Sequence, residues 1–283
     1  MKMSSKEVWL NVFNDLKEHG KKSSPRGLET IEIENYMFSI DPIKDKFCSF
    51  KHRKLSLKYL CAELAWYLNG DPNDEMMEQY SSFWKTIKNH EKPYFHSNYG
   101  QYIFGEKQFD YCIDTLIEDK DSRQACIIIS RPNVMMSTTN DKICTYALSF
   151  RIRENVLNMS TNFRSQDFFY GTMIDLFEFS IIYEMMYITL KETYKDLQTG
   201  LLTNKCDSLH FYKRHFEMFE KILQDDEFID IDCPRISSIS EVSFMRNKFP
   251  WCEECIRKGY MIDHRVISKD YKFTKWFIEN LKK

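Results

Sequence analysis

Glycine and proline are scarce in this chain, 8 and 7 among 283 residues, and they gather into no stretch that would read as a linker. No internal repeat or low-complexity tract divides the sequence either, so residues 1–283 read as one domain, long enough to bury a full core. Neither sign of charge is in excess: 40 Lys and Arg stand against 42 Asp and Glu, a formal net charge of −2. A nucleic-acid-coating surface normally shows a clear basic excess, so no nucleic-acid partner is expected, although local basic pockets remain open. Long apolar runs are missing as well. None reaches the roughly 20 residues that span a bilayer. The opening MKMSSKEVWLNVFNDLKEHG carries charges between its apolar positions, which suits an amphipathic helix rather than a signal peptide. The 9 cysteines are odd in number and lack the close spacing of a disulfide framework, which favours a reducing compartment. Cytoplasm is the expected location.

What is present is aromatic. The hydrophobic fraction is 43% and the aromatic fraction 15%, with 22 Phe and 16 Tyr, so an aromatic-rich interior is expected. After the first helix, SSPRGLETIEIENYMFSID opens with a turn and continues as an alternating strand. LSLKYLCAELAWYLNG has helical spacing and a glycine stop at Gly70. Residues 108–119 read as a second amphipathic helix, and strand-like runs follow at 125–130, 145–153 and 155–164, the last two joined through Glu154-Asn155 as a hairpin. FFYGTMIDLFEFSIIYEMMYITL is apolar nearly all round and reads as a buried central helix. Helices and strands in this order give an α+β fold, a mostly antiparallel sheet packed with helices.

The chemistry concentrates around Cys144, which precedes Arg164-Ser165-Gln166-Asp167 by 20 residues. A nucleophilic thiol needs nearby positive charge to be held as thiolate, and a guanidinium arriving from the next strand supplies it. Taken alone, a cysteine on an alternating strand is more often a small buried hydrophobe, and a lone arginine a solvated charge. Glu63 is an acid among apolar neighbours, Leu60, Leu64 and Tyr67, on a helix that reads as largely buried, and such an acid often has a role.

Several further motifs stand in order along the chain: SPRG at 24–27, AELAWYLNGD at 62–71, NYGQ at 98–101, DSR at 121–123, Cys144, RSQD at 164–167 and His210-Phe211-Tyr212. Each is weak alone, but together, from about residue 5 to about residue 225, they resemble the thymidylate synthase family, which includes the pyrimidine-nucleotide hydroxymethylases. The resemblance implies that family's fold around the long central helix, and a homodimer with shared active sites. It implies a pyrimidine nucleoside monophosphate as substrate and 5,10-methylenetetrahydrofolate as cofactor. Cys144 would be the nucleophile adding to pyrimidine C6. Glu63 would organise water for proton transfer, and Tyr99 would assist removal of the C5 proton. Arg26, Arg123 and Arg164 with Ser165 would grip the phosphate, Arg123 from the partner subunit, and His210 and Tyr212 would hold the sugar hydroxyl. Asp167, Trp84 and Gly171 would contact the folate, with a helix N-cap as the plain alternative for Asp167. No metal is expected, since the single Cys252-x-x-Cys255 pair lacks a second ligand pair.

Departures from the family pattern narrow the reaction. Asp175 occupies the place of an asparagine whose amide serves uracil N3–H and O4. An ionised carboxylate only accepts, so it would repel O4 and accept from the cytosine 4-amino group instead. That is the pattern of cytidylate hydroxymethylases. Gln124 replaces a second arginine in the DSR motif, Thr145 a histidine after the nucleophile, and Pro132 a tryptophan. The ending KFTKWFIENLKK shows no short apolar closing tail, and residues 226–283 do not match the family clearly. A less sealed site favours water as the final acceptor, so hydroxymethylation of dCMP is the leading expectation. CMP hydroxymethylation, thymidylate synthesis on dUMP, and a non-catalytic nucleotide- or RNA-binding relative remain as alternatives.

Overall fold

In the computed structural model, which describes residues 4–88 and 94–283, one mixed sheet carries the molecule and the helices supply its core. Helix α1 (Ser5–His19) starts at a capping box in which Ser4 accepts from the Glu7 amide and Glu7 accepts from the Ser4 amide. It buries Val8, Trp9, Val12, Phe13 and Leu16. Strand β1 (Lys21–Ser23) and the turn at Pro25–Gly27 lead into β2 (Thr30–Ile40). Helix α2 (Leu57–Asn69) runs from a Ser56 cap to Gly70, whose φ of 63° is the left-handed conformation that ends a helix most cheaply on glycine. Two short helices flank the next segment, α3 (Phe83–Ile87) and, after a turn, α4 (Gln108–Glu118).

Strand β3 (Cys126–Ile128), the short α5 (Pro132–Met136), β4 (Thr145–Arg153) and β5 (Val156–Phe163) follow. The β4–β5 hairpin turns at Glu154 and Asn155, both at positive φ, the twist that a two-residue hairpin needs. A two-residue strand β6 (Gln166–Asp167) precedes a single π-helical turn at Phe168–Thr172, and α6 (Met173–Lys191) then runs through the core. Strand β7 (Gln198–Tyr212), α7 (Phe216–Gln224), α8 (Ile239–Arg257) and α9 (Lys272–Lys282) complete the chain.

The seven strands run in the order β1-β2-β7-β5-β4-β3, with β6 also on β7. Four pairings are antiparallel, while β5 and β6 both pair parallel with β7. Parallel neighbours require a crossover, and α6 is that crossover, which explains why the longest apolar run of the sequence lies between them. The α+β expectation therefore holds, with a sheet that is mostly antiparallel around one parallel centre. The predicted strand at 125–130 has its regular ladder in β3, where Cys126–Ile128 pair with β4, while Ala125, Ile129 and Ser130 hydrogen-bond to Phe150 and Tyr146 of β4 outside that ladder. Alternate residues of β5 are buried on one face, as Leu157, Met159, Thr161 and Phe163, and half-buried on the other.

Residues beyond 226 are built into this body. Arg235 Nε pairs with the buried Glu184 Oε1 of α6 at 2.8 Å, and α8 and α9 pack on α2. Glu241 joins these two helices by accepting from the Thr274 amide and hydroxyl at 2.8 and 2.9 Å. Cys252 and Cys255 are buried free thiols in α8, and among the described residues no cluster of three His, Cys, Asp or Glu could hold a metal. No described helix is long and apolar enough to cross a membrane.

Candidate active site

Cys144 sits at the end of the loop that enters β4, and that loop is pinned from several sides. Lys142 caps the carbonyls of Val134 and Met135 at the end of α5, both at 3.1 Å. Asp141, buried, accepts from the Ser97 amide at 3.1 Å, which ties the loop to the turn carrying Tyr99. The Cys144 amide donates to Tyr99 Oη at 3.3 Å. That turn lies hard against α2: a Cβ on Gly100 would fall 1.7 Å from the Tyr67 carbonyl oxygen, so only glycine lets the Tyr99 turn approach the helix that bears Glu63.

Arg164 is the other anchor. Its amide donates to the Cys144 carbonyl, Nε to the Ile143 carbonyl at 2.8 Å, and Nη2 both to the Lys142 carbonyl at 3.2 Å and to Cys144 Sγ at 3.4 Å. The guanidinium thus holds the nucleophile loop and touches the thiol. Burial nonetheless pushes the Cys144 thiol above its ordinary value, with Arg164 and, more weakly, Arg26 pulling it down and Asp175 and Asp141 pushing it up. The expected positive charge is in place, but it offsets desolvation only in part. Arg26 stands exposed on the 25–27 turn at a φ of 57°.

Three acids gather behind the site, of which Asp175 acts on this thiol. Glu63 is buried on α2, with one oxygen 3.5 Å from the Tyr59 hydroxyl and the other without a partner. Asp175, on the first turn of α6, accepts from Gln166 Nε2 at 3.1 Å. Glu178, one turn further along α6, is fully buried with neither oxygen hydrogen-bonded. Burial, then mutual repulsion, drives Glu63 and Glu178 well above the usual carboxylate range. Burial raises Asp175 to about 7, against a lowering by the Gln166 bond. The site therefore stores protons on carboxylic acids near neutral pH, the property general acid–base chemistry requires.

The remaining predicted residues fall in three places. Gly171 borders the acids: a Cβ built there would lie 3.7 Å from Asp175 Oδ2 and 3.9 Å from Asp167 Cβ, ordinary contact distances. Asp167 caps the π turn by accepting from the Phe169 amide at 3.0 Å and lies beside His210 in the β6–β7 pairing. His210 and Tyr212 stack edge to face on β7 with ring centroids 5.2 Å apart, and Ser165 is half-buried between Arg164 and β6. Trp84 lies deeper, buried against Trp66 at 4.9 Å, and donates its indole N–H to the Tyr59 hydroxyl at 3.0 Å, so it backs the Tyr59–Glu63 contact. Arg123 is exposed at the opposite end of the sheet. Asp121 of the same turn lies 3.9 Å from Arg153, the last residue of β4, and Cys144 immediately precedes its first. At roughly 3.4 Å per residue the two ends of β4 are about 27 Å apart, beyond the reach of an arginine within one chain.

Residues 7–246 match the family model described as thymidylate synthase. The chain belongs to the thymidylate synthase family. Among its relatives is the deoxycytidylate 5-hydroxymethyltransferase of Enterobacteria phage T4, 26% identical over 228 residues that cover 77% of this chain and 90% of the relative. The deoxyuridylate hydroxymethyltransferase of Bacillus phage SP01 is 25% identical over 223 residues, 73% of this chain and 56% of the relative. A putative thymidylate synthase of Methanosarcina barkeri is 27% identical over 224 residues, 77% and 91% respectively.

Within this family framework, sequence reasoning passed over Gln166, Asn204, Glu178, Tyr59 and Lys142. Glu178 was within reach, because it lies three residues after Asp175 and so on the same helix face. Lys142 and Asn204 were not, because loop caps and cross-strand amides depend on contacts distant in sequence.

Proposed function

We propose that this protein hydroxymethylates C5 of a cytidine monophosphate, dCMP by preference, and that the whole chain works as one catalytic domain in a homodimer. The observation that carries the base assignment is Asp175: a carboxyl group beside the nucleophile, where an amide would suit uracil. The T4 relative's action on deoxycytidylate supports the same reading, and the SP01 relative's action on deoxyuridylate makes uracil the alternative to test.

Cys144 as thiolate adds to C6 of the ring, which places an electron pair at C5. When bound, 5,10-methylenetetrahydrofolate would supply an electrophilic methylene for that carbon, with its nitrogen as the leaving group that keeps the electron pair. Gly171 and Asp167, which border the acids, would hold the folate, with Trp84 behind the Tyr59–Glu63 contact. Tyr99, held against the Cys144 amide, relays the C5 proton to water, leaving an exocyclic methylene on the ring. A water held at the unpaired Glu63 oxygen adds its oxygen to that methylene while its proton is handed on to solvent water. The electron pair returns through C5, C6 releases the thiolate, and the 5-hydroxymethyl product departs. Arg26, Arg164 and Ser165 stand on the phosphate side, His210 and Tyr212 on the sugar side, and the distance of Arg123 from Cys144 supports its service in the partner's site.

The test is incubation of the purified protein with dCMP, CMP and dUMP in turn, each with 5,10-methylenetetrahydrofolate, and mass analysis of the nucleotide. The proposal expects one added CH2O unit on dCMP. Methylated dUMP as the main product would replace it.

A further inference from the structure

Asp175 does not stand alone: its Oδ2 is the end of a buried chain of amides. Gln166 Nε2 donates to it at 3.1 Å, Gln166 Oε1 accepts from Asn204 Nδ2 at 3.0 Å, and Asn204 Oδ1 accepts from Thr161 Oγ1 at 3.0 Å. The three residues are 2%, 1% and 0% exposed and come from β6, β7 and β5, the parallel centre of the sheet. A primary amide has one donating and one accepting end. The chain can therefore run in only one direction once either end is fixed. An ionised Asp175 fixes it, because a carboxylate cannot donate, and with Asp175 neutral the buried Thr161 hydroxyl fixes it by donating to Asn204 Oδ1: Gln166 must turn its NH2 towards Asp175, Asn204 its NH2 towards Gln166, and Thr161 its hydroxyl proton towards Asn204. Reversing one member would leave buried acceptors facing each other. Asp175 acts electrostatically on Glu63 from α2, Glu178 from α6 and Cys144 from the nucleophile loop, while its own carboxyl is set by burial and by the Gln166 bond, so Gln166 is a neutral donor set among acids.

We infer that Gln166, Asn204 and Thr161 form a base-selecting relay: by donating to Oδ2 they keep that oxygen an acceptor and leave Oδ1 as the oxygen that carries a proton. The inference rests on the reading of Asp175 as the group that faces the base. Cytosine presents an accepting N3 beside a donating 4-amino group, and uracil presents the reverse. A carboxylic acid free to carry its proton on either oxygen matches both bases. One whose proton is confined to Oδ1 matches a single order, and with Oδ1 at N3 and Oδ2 at the 4-amino group that order is cytosine. The relay residues do not touch the substrate. They are positioning residues, and their loss lowers the rate with dCMP relative to dUMP rather than both rates together.

The variants Gln166→Met, which keeps volume without the donor, and Thr161→Val, isosteric and one step further back, separate these effects. The readout is kcat/KM for dCMP and for dUMP, with thermal melting as the check on folding and Asp175→Asn measured alongside. The relay predicts that the dCMP-to-dUMP ratio falls roughly tenfold in Gln166→Met and by about threefold in Thr161→Val, with the dUMP rate maintained or raised. A ratio within about twofold of wild type in folded Gln166→Met, with both rates lowered together, overturns the relay. If that variant does not fold, Thr161→Val decides by the same ratio, a fall supporting the relay and no change overturning it. An unchanged ratio in the relay variants with a shifted one in Asp175→Asn removes the relay and keeps the base reader; an unchanged ratio in all three removes both.

Discussion

The Arg164 guanidinium lies 3.4 Å from Cys144 Sγ while its other bonds go to the carbonyls of Lys142 and Ile143. One side chain therefore both holds the nucleophile loop and lowers the energy of the thiolate, against a burial that acts the other way. Arg164→Gln removes that opposing charge. The Cys144 thiol should then rise further, and its alkylation by iodoacetamide near pH 8 should slow several-fold. Peptide-resolved mass spectrometry separates it from the buried thiols. Unchanged alkylation would mean that the contact carries no charge stabilisation.

Cys144→Ala should abolish turnover and leave nucleotide affinity within a few-fold of wild type, because the thiol supplies chemistry and the arginines supply grip. Steady-state assay and calorimetric titration check the two halves. Retained turnover with intact fold would remove Cys144 from the mechanism.

Arg123 and Cys144 lie at opposite ends of β4, so a site that uses both must draw them from two chains. Cys144→Ala and Arg123→Gln proteins should each be inactive, or nearly so. After subunit exchange their mixture should recover roughly a quarter of wild-type activity, the statistical share of intact composite sites in a two-fold dimer. No recovery despite exchange shown by native mass spectrometry would confine each site to one chain.

Asp175 also sets a pH dependence of stability. Its folded value near 7 is above that of an unfolded aspartate, so between about pH 4 and 7 the folded state holds a proton that the unfolded state has lost, and stability falls as pH rises. Asp175→Asn, which cannot ionise, should gain stability over wild type as pH rises through that window, by an amount on the order of 2–4 kcal/mol at pH 8, and gain little at pH 4. Urea unfolding at the two pH values measures it. An equal difference at both would show that Asp175 is not held neutral by the fold.

Much of the site was legible because its residues sit on locally coded elements. The Ser56 cap and Gly70 stop frame the helix that presents Glu63, and the apolar run after Asp167 had to be buried. Cys144 and Arg164 were joined by spacing and by the family resemblance, and meet in space because β4 and β5 form the predicted hairpin. The sheet centre was not legible, since β7 pairs in parallel with β5 and β6 across α6, and no local pattern encodes such a partner. For the same reason the amide chain from Thr161 through Asn204 and Gln166 to Asp175 was invisible in sequence, although Gln166 lies inside the recognised RSQD. The thiol's charge state was anticipated in kind but not in balance, because desolvation depends on the packing of the whole loop.

The central claim is that Asp175 chooses the base, and its direct measurement is kcat/KM for dCMP and dUMP in wild type and Asp175→Asn. The account predicts a wild type that prefers dCMP and a variant whose dCMP-to-dUMP ratio is lower by roughly a hundredfold or more, about 2.7 kcal/mol at about 1.36 kcal/mol per decade. A wild type that prefers dUMP, or a ratio that Asp175→Asn leaves where it was, would contradict it.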